Sequence, residues 1–320
     1  MSIRENIHRR RLHVQWRVMD ALIAAKNRTP VNFSQGVSDR FGYALIAPGF
    51  LLISFLAVGM GLLAWYSFLT YDPVEIFVYE YTLENWQRFI ETAAHHRILF
   101  RTLLYSAVVT VVCVSLSVPY AYLIIRTENG LFRNLLLFGL FVPFFTGVII
   151  RAYGWLIILG ENGIVNWLLG EIGVSSIGFI GTPFAVLVGL IQYMLPFGVL
   201  MLTPAIASID EDLERAAKNC GANQRETFRH VVLPLARPGL SASIIVVFTL
   251  SVANYSIPKL LGSGQLSFVA NFIYNKLFTT LNYPFAAVLS LILVGIASLV
   301  VMAIFKLYGT GTLGSEVDGA

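Results

Sequence analysis

Few side chains in this sequence are placed to do chemistry, and those few suit binding rather than bond breaking. Arg151, Gln192 and Asn254 each stand in a long apolar run, where a polar group is costly unless it faces a cavity, a partner helix or a solute. They are candidates for a solute path. The simpler readings are an interhelical hydrogen bond for Gln192 and Asn254, and outward snorkelling for Arg151. Tyr153, Tyr193 and Tyr255 adjoin them, and their ring faces could hold a cation. No nucleophile, base and orienting group converge in the sequence, so no residue is assigned a catalytic role. His95-His96 and His230 lack the three or four ligands of a metal site, and the histidine pair reads as a surface feature. Without a Gly-Lys pair there is no phosphate-cradling loop, so ATP and Mg²⁺ are expected on other subunits and no cofactor on this chain. The apolar runs carry no Asp or Glu, which weighs against a proton relay.

The elements that must position these residues are apolar helices. Of 320 residues, 57% are hydrophobic and 12% charged, far from the roughly 25% charged residues of a soluble domain. The chain is read as all-α and integral to a membrane. A hydrocarbon core of about 30 Å needs roughly twenty apolar residues per helix. That measure gives six spans, near Tyr43–Thr70, Leu103–Ile125, Leu135–Leu159, Pro183–Ala205, Leu240–Pro258 and Phe285–Leu307. Pro48, Pro119, Pro143, Pro196, Pro204 and Pro258 mark places where a span is broken or faces something other than lipid.

Residues 1–42 form a basic segment with Arg9-Arg10-Arg11 and no signal-peptide core, read as a topology signal that also meets anionic lipid. Residues 43–308 make the six-span domain, and 309–320 a short tail. The excess of Lys and Arg places both termini in the cytoplasm. Asp72–Arg101, with Glu75, Glu80, Glu84 and Glu91, and Glu161–Thr182 then lie outside. These surfaces are acidic overall; they suit either a soluble partner with a basic rim or simple solvation. Trp65, Tyr66, Tyr71, Trp86, Trp155 and Trp167 read as interfacial anchors. Cys113 and Cys220 are expected to be unpaired, small packing residues.

One polar island, residues 208–239, interrupts the apolar pattern on the cytoplasmic side. Ser208 and Glu211 have capping-box spacing, so a helix is expected to start near Ile209, with Leu213, Ala216 and Ala217 as its apolar face. Gly221 should end it in a left-handed conformation. Asn223 and Glu226 repeat the capping spacing for a second helix, carrying Phe228, Val231 and Val232 and stopped by Leu233-Pro234. A DNA-reading helix-turn-helix is the rival interpretation, opposed by the apolar spans on both sides, and no nucleic acid is expected as a partner.

The island resembles the cytoplasmic loop of ABC importer permeases, in which E-A-A, then G-A, later F and L-P dock on an ATPase. The matching residues are Ala216-Ala217, Gly221-Ala222, Phe228 and Leu233-Pro234, followed by Pro238-Gly239. The consensus glutamate position is Arg215, with Glu214 one place earlier, so either side chain could be the one that meets the ATPase. IIRAYGW at 149–155, LGENGIVNWLL at 159–169, QYMLPF at 192–197 and FAAVLSL at 285–291 resemble permeases of the spermidine/putrescine importer family, as do Leu83-Glu84-Asn85 and Pro119-Tyr120-Ala121-Tyr122. The resemblance implies a molybdate/maltose-like type I permease fold in a bacterial inner membrane. It also implies a second permease subunit, two ATPase subunits, a periplasmic binding protein and a small organic solute such as a polyamine. Opines, phosphonates and thiamine-like cations are the other cargoes the resemblance admits, because family members often carry an acid near Asn254 and this sequence has none there. An ion- or proton-coupled carrier working alone is the alternative.

Overall fold

The computed structural model describes residues 35–73 and 78–308. The expected 309–320 tail lies outside the described residues, as does the expected 1–42 basic segment through residue 34. The chain divides into two units between Gly61 and Leu62. The first is represented by most of α1 (Gln35–Tyr66), an unbroken apolar helix with Pro48 inside it.

In the second unit, β1 (Leu69–Thr70) and β2 (Val78–Tyr81) make a small antiparallel hairpin. The buried Asn85 of α2 (Glu84–Glu91) donates to the Leu69 carbonyl at 2.9 Å and ties that helix to the hairpin. α3 (Ala93–Arg126) follows; at 1.5 Å per residue its 34 residues span about 51 Å. Next come α4 (Gly130–Phe145), α5 (Val148–Leu159), α6 (Ile164–Glu171) and α7 (Pro183–Ala207). The polar island folds as α8 (Glu211–Asn219) and α9 (Gln224–Leu235). α10 (Arg237–Val252), α11 (Ser256–Leu261), α12 (Val269–Phe278) and α13 (Tyr283–Tyr308) complete the unit.

The core is the mutual packing of α3, α7 and α10. Between apolar helices the hydrophobic effect discriminates little in a bilayer, so small residues and interhelical hydrogen bonds hold the contact. The Cys113 thiol meets the Ile191 carbonyl at 3.4 Å, and the Ser117 and Ser243 hydroxyls donate to the Leu195 and Gly198 carbonyls at 3.5 and 3.3 Å. Cys113 is buried and Cys220 exposed, and both are free thiols.

Among the described residues, five helices are long and apolar enough to cross a membrane, or six when α9 and α10 count as one bent span. The expected third span, Leu135–Leu159, is two helices rather than one: α4 ends just beyond Pro143, and Gly147 caps α5. The proline has no N–H to give to the carbonyl four residues earlier in the last turn of α4, and Thr146 Oγ1 donates to the Pro143 carbonyl at 3.1 Å where the helix ends. The expected fifth span ends at Val252, and Pro258 falls within the separate helix α11. Pro119, Pro196 and Pro204 lie inside continuous helices, which apolar surroundings and neighbouring helices permit.

Candidate functional site

The polar island is built by its local signals, with three departures from expectation. α8 is capped by Asp210, whose carboxylate accepts from the Asp212 amide at 2.9 Å. Ser208 instead closes α7, donating from its hydroxyl to the Ala205 carbonyl at 2.9 Å. The expected Ser208–Glu211 box therefore does not form, because α7 continues through Ala207 and claims the serine. The Asn223–Glu226 box does form: Asn223 Oδ1 accepts from the Glu226 amide at 3.0 Å, and Glu226 Oε2 accepts from the Asn223 amide at 2.8 Å. Between the helices Gly221 has φ +94°, and the Ala222 amide reaches back to the Ala217 carbonyl at 3.1 Å.

Leu233-Pro234 does not stop the second helix. Phe228–Val232 form a π-turn, and α9 continues through Pro234 to Leu235. The wider turn is the usual accommodation for a proline that lacks a donor and crowds the preceding carbonyl. The chain then bends by 72° at Ala236 into α10. Just past the bend Gly239 is buried against α7, so closely that a Cβ there would overlap Ala205.

Glu214 fixes this island to α3. It is 5% exposed, which is unusual for a carboxylate unless it is paired and hydrogen-bonded. Its Oε1 accepts from Arg126 Nε at 2.8 Å, and its Oε2 accepts from the Tyr122 hydroxyl at 2.8 Å. Arg126, the last residue of α3, also donates to the Ile209 carbonyl at 2.7 Å and pairs with Glu211 at 3.4 Å. One guanidinium thus holds the α7–α8 link and two carboxylates of α8. The Tyr122 ring packs nearly perpendicular to that of Phe228 of α9, with centroids 5.1 Å apart, so Tyr122 touches both helices of the island. Val232 and Ala236 are buried with Ile206 and Ile209 in the apolar cluster beneath, and Leu233 packs against it. A polar cavity of about 490 Å³ opens beside the contact, between the end of α3 and α8. α8 therefore meets α3 through named polar bonds rather than along a sealed apolar seam.

This arrangement reverses the face expected for α8. Leu213 and Ala216 are exposed and Ala217 is half-buried, while Glu214 is turned inward. Arg215 is exposed and occupied only with its own helix, through Glu211 and Asp212. Tyr122 and Arg126 supply the hydrogen bonds that a carboxylate needs in order to be buried, and apolar periodicity cannot report such partners. Neither residue stands in the island's own motif, so its spacing assigns neither a part in the joint. The one available signal was a lone arginine ending the apolar run YLIIR, which reads first as a topology charge.

The path candidates fall in two places. Arg151 of α5 lies over the ring of Tyr193 of α7, its guanidinium carbon 4.7 Å from the centroid, and its Nε is buried without a partner. Gln192 Oε1, next along α7, is also buried and unpartnered, whereas Tyr153 is exposed. Asn254 and Tyr255 form the break between α10 and α11. The Asn254 side chain accepts from the Ile257 amide at 3.0 Å, and the Tyr255 ring lies 4.6 Å from Tyr274. Asn254, one residue before the N-cap Tyr255, thus satisfies an amide in the first turn of α11, a role that aspartate can fill and leucine cannot. Asn254→Asp is expected to keep assembly and uptake capacity while favouring a more cationic solute, and Asn254→Leu to lose about 0.5–2 kcal/mol of local stability. Competition uptake with solutes of increasing positive charge, alongside complex yield, checks both. His95, expected at the surface, is instead buried among Phe89, Phe272 and Phe285, and only His96 is exposed. Among the described residues no group of three metal-ligating side chains forms.

Residues 126–309, beginning at the arginine that anchors α8, match the family described as binding-protein-dependent transport system inner membrane component. The chain belongs to this family. The permease is 31% identical to the spermidine/putrescine transport system permease protein PotB of Haemophilus influenzae, over 82% of this chain and 91% of that one. It is also 31% identical to PotB of Escherichia coli K12, over 75% and 87% respectively. Its fold is that of a permease chain in the crystal structure of a bacterial alginate ABC transporter in complex with an alginate pentasaccharide-bound periplasmic protein. That match covers 89% of this chain and 99% of that chain, with a TM-score of 0.75 at 16% identity. The permease is thus a multi-pass inner-membrane subunit of an ABC importer with a type I fold, and it is not itself an enzyme.

Proposed function

We propose that the permease is one of two membrane subunits of an importer for a polyamine-like organic cation. Two ATPase subunits, which keep ATP and Mg²⁺ to themselves, drive it, and a periplasmic binding protein supplies it. The observation that carries this reading is the joint, a two-helix island bonded through Tyr122 and Arg126 to the end of α3 and running through a 72° bend into α10. With both termini and the island in the cytoplasm, the outward residues Leu213, Arg215 and Ala216 face an ATPase. Glu214, Tyr122 and Phe228 carry its motion to α3, and Ala217, Gly221, Ala222, Leu233 and Pro234 set the shape that transmits it to α10. The naming of the PotB relatives for spermidine and putrescine supports the cargo. Tyr193 and Tyr255 offer ring faces for a cation, and the Arg151–Tyr193 contact leaves when the solute arrives. α3, α7, α10 and α13 contain no Asp or Glu, so no observation favours a proton-coupled carrier.

The test is reconstitution in proteoliposomes with the partner subunits. Uptake of labelled putrescine or spermidine should require ATP inside and the binding protein outside, and the purified permease alone should neither bind nor hydrolyse ATP. Uptake without ATP or partners, or hydrolysis that follows the isolated permease through further purification, would refute the importer reading.

A further inference from the structure

At the end of α3 opposite the joint, two cations from different helices converge on one aromatic ring. The Arg88 guanidinium carbon of α2 is 5.5 Å from the centroid of Phe285, and Lys276 Nζ of α12 is 5.9 Å from the same centroid and 5.3 Å from that of Phe272. His95 lies beneath them, its ring centroid 5.0 Å from Phe285 and 5.4 Å from Phe272, and its Nδ1 is buried with no hydrogen-bond partner. Among the described residues the ion pairs all lie at the joint, and neither Arg88 nor Lys276 takes part in one. Burial, and then the neighbouring Arg88, hold the Lys276 ammonium below its ordinary range. Ring faces attract each cation but do not cancel the repulsion between them. An anion placed between the two would do so.

We propose that Arg88 and Lys276, set over Phe285, form a carboxylate-binding site that receives one acidic side chain of the soluble binding protein. The inference rests on the importer reading above. α3 is about 51 Å long and the hydrocarbon core about 30 Å thick, so with the joint at the cytoplasmic surface the His95 end stands beyond the outer acyl boundary. That position favours a soluble partner over a lipid phosphate. Glu84 and Glu91, exposed at the two ends of α2, flank the site and would repel a strongly acidic surface. The site therefore suits a single carboxylate set in a basic or neutral rim. Such a contact governs encounter and register, and it weakens with salt.

The experiment uses the whole complex in lipid nanodiscs and its own binding protein, loaded with solute, and measures the concentration that half-saturates stimulation of ATP hydrolysis at several NaCl concentrations. Arg88→Gln with Lys276→Gln is expected to raise that concentration about tenfold at low salt and to flatten its salt dependence. Arg88→Lys with Lys276→Arg should restore most of both. Nanodiscs with and without phosphatidylglycerol separate the two anion sources. A variant effect that appears only with the anionic lipid would overturn the proposal and assign the site to a headgroup. Equal half-saturation and salt slope in wild type and the Gln pair would overturn the site alone. No stimulation of the wild type at any concentration would overturn the importer reading and this site with it.

Discussion

Glu214→Leu is expected to uncouple the importer: hydrolysis by the assembled complex continues, while solute imported per ATP falls by about 5- to 150-fold. That range corresponds to the roughly 1–3 kcal/mol typical of coupling between sites. The substitution removes the carboxylate that Arg126 and Tyr122 both hold at 2.8 Å, leaving a largely buried guanidinium with only Glu211 and a carbonyl. Breaking a buried ion pair from one side costs about 3–5 kcal/mol, and this pair is among the polar contacts that hold α8 on α3. Glu214→Gln retains a hydrogen-bonding amide and should give a smaller loss, and so should Tyr122→Phe, which removes one hydrogen bond to a charged group worth about 1.5–3 kcal/mol but leaves the ion pair in place. A double-mutant cycle of Glu214→Gln with Arg126→Gln should show non-additivity of about 0.5–3 kcal/mol in the coupling ratio. The measurement is uptake and hydrolysis on one proteoliposome preparation. An unchanged ratio for Glu214→Leu would mean that motion reaches the spans by another route.

Gly221→Val should impair transport with the spans inserted and the complex still isolable. Gly221 sits at φ +94°, where a β-branched residue is a genuine outlier and strain costs about 1–3 kcal/mol. A Cβ at this position meets nothing within 4 Å, so the penalty is conformational and not steric. That distinction makes a prediction within the prediction. Gly221→Asn, which tolerates the left-handed region, should keep most activity, whereas a crowded position would reject both residues alike. Gly239 is the comparison, since its backbone is helical and a side chain there collides with Ala205. Binding-protein-stimulated hydrolysis, uptake and ATPase retention measured together separate the cases. Wild-type stimulation and uptake in Gly221→Val would show that the turn is passive.

What the sequence determined by itself was governed by short-range physics. Unbroken apolar runs decide membrane insertion, because a bilayer requires each helix to satisfy its own backbone, and so α1, α3, α7 and α13 were legible. The Asn223–Glu226 box and the left-handed Gly221 were legible for the same reason: the bonding groups lie three or four residues apart. The break at Thr146–Gly147 was not, since a proline near the end of an apolar run either bends a helix or ends it, and the neighbouring helices choose. Tertiary structure alone decided that Glu214 faces inward while Arg215 faces out. Its partners Tyr122 and Arg126 lie 92 and 88 residues away, and a carboxylate becomes cheaper to bury only when such donors have been brought to it. The same holds at the other end of α3, where Arg88 reads as one charge in an acidic stretch and Lys276 as a lone charge far along the sequence until folding sets both over Phe285. Side-chain periodicity reports which face a residue occupies on its own helix, and the charge that face will meet is fixed only when the helices pack.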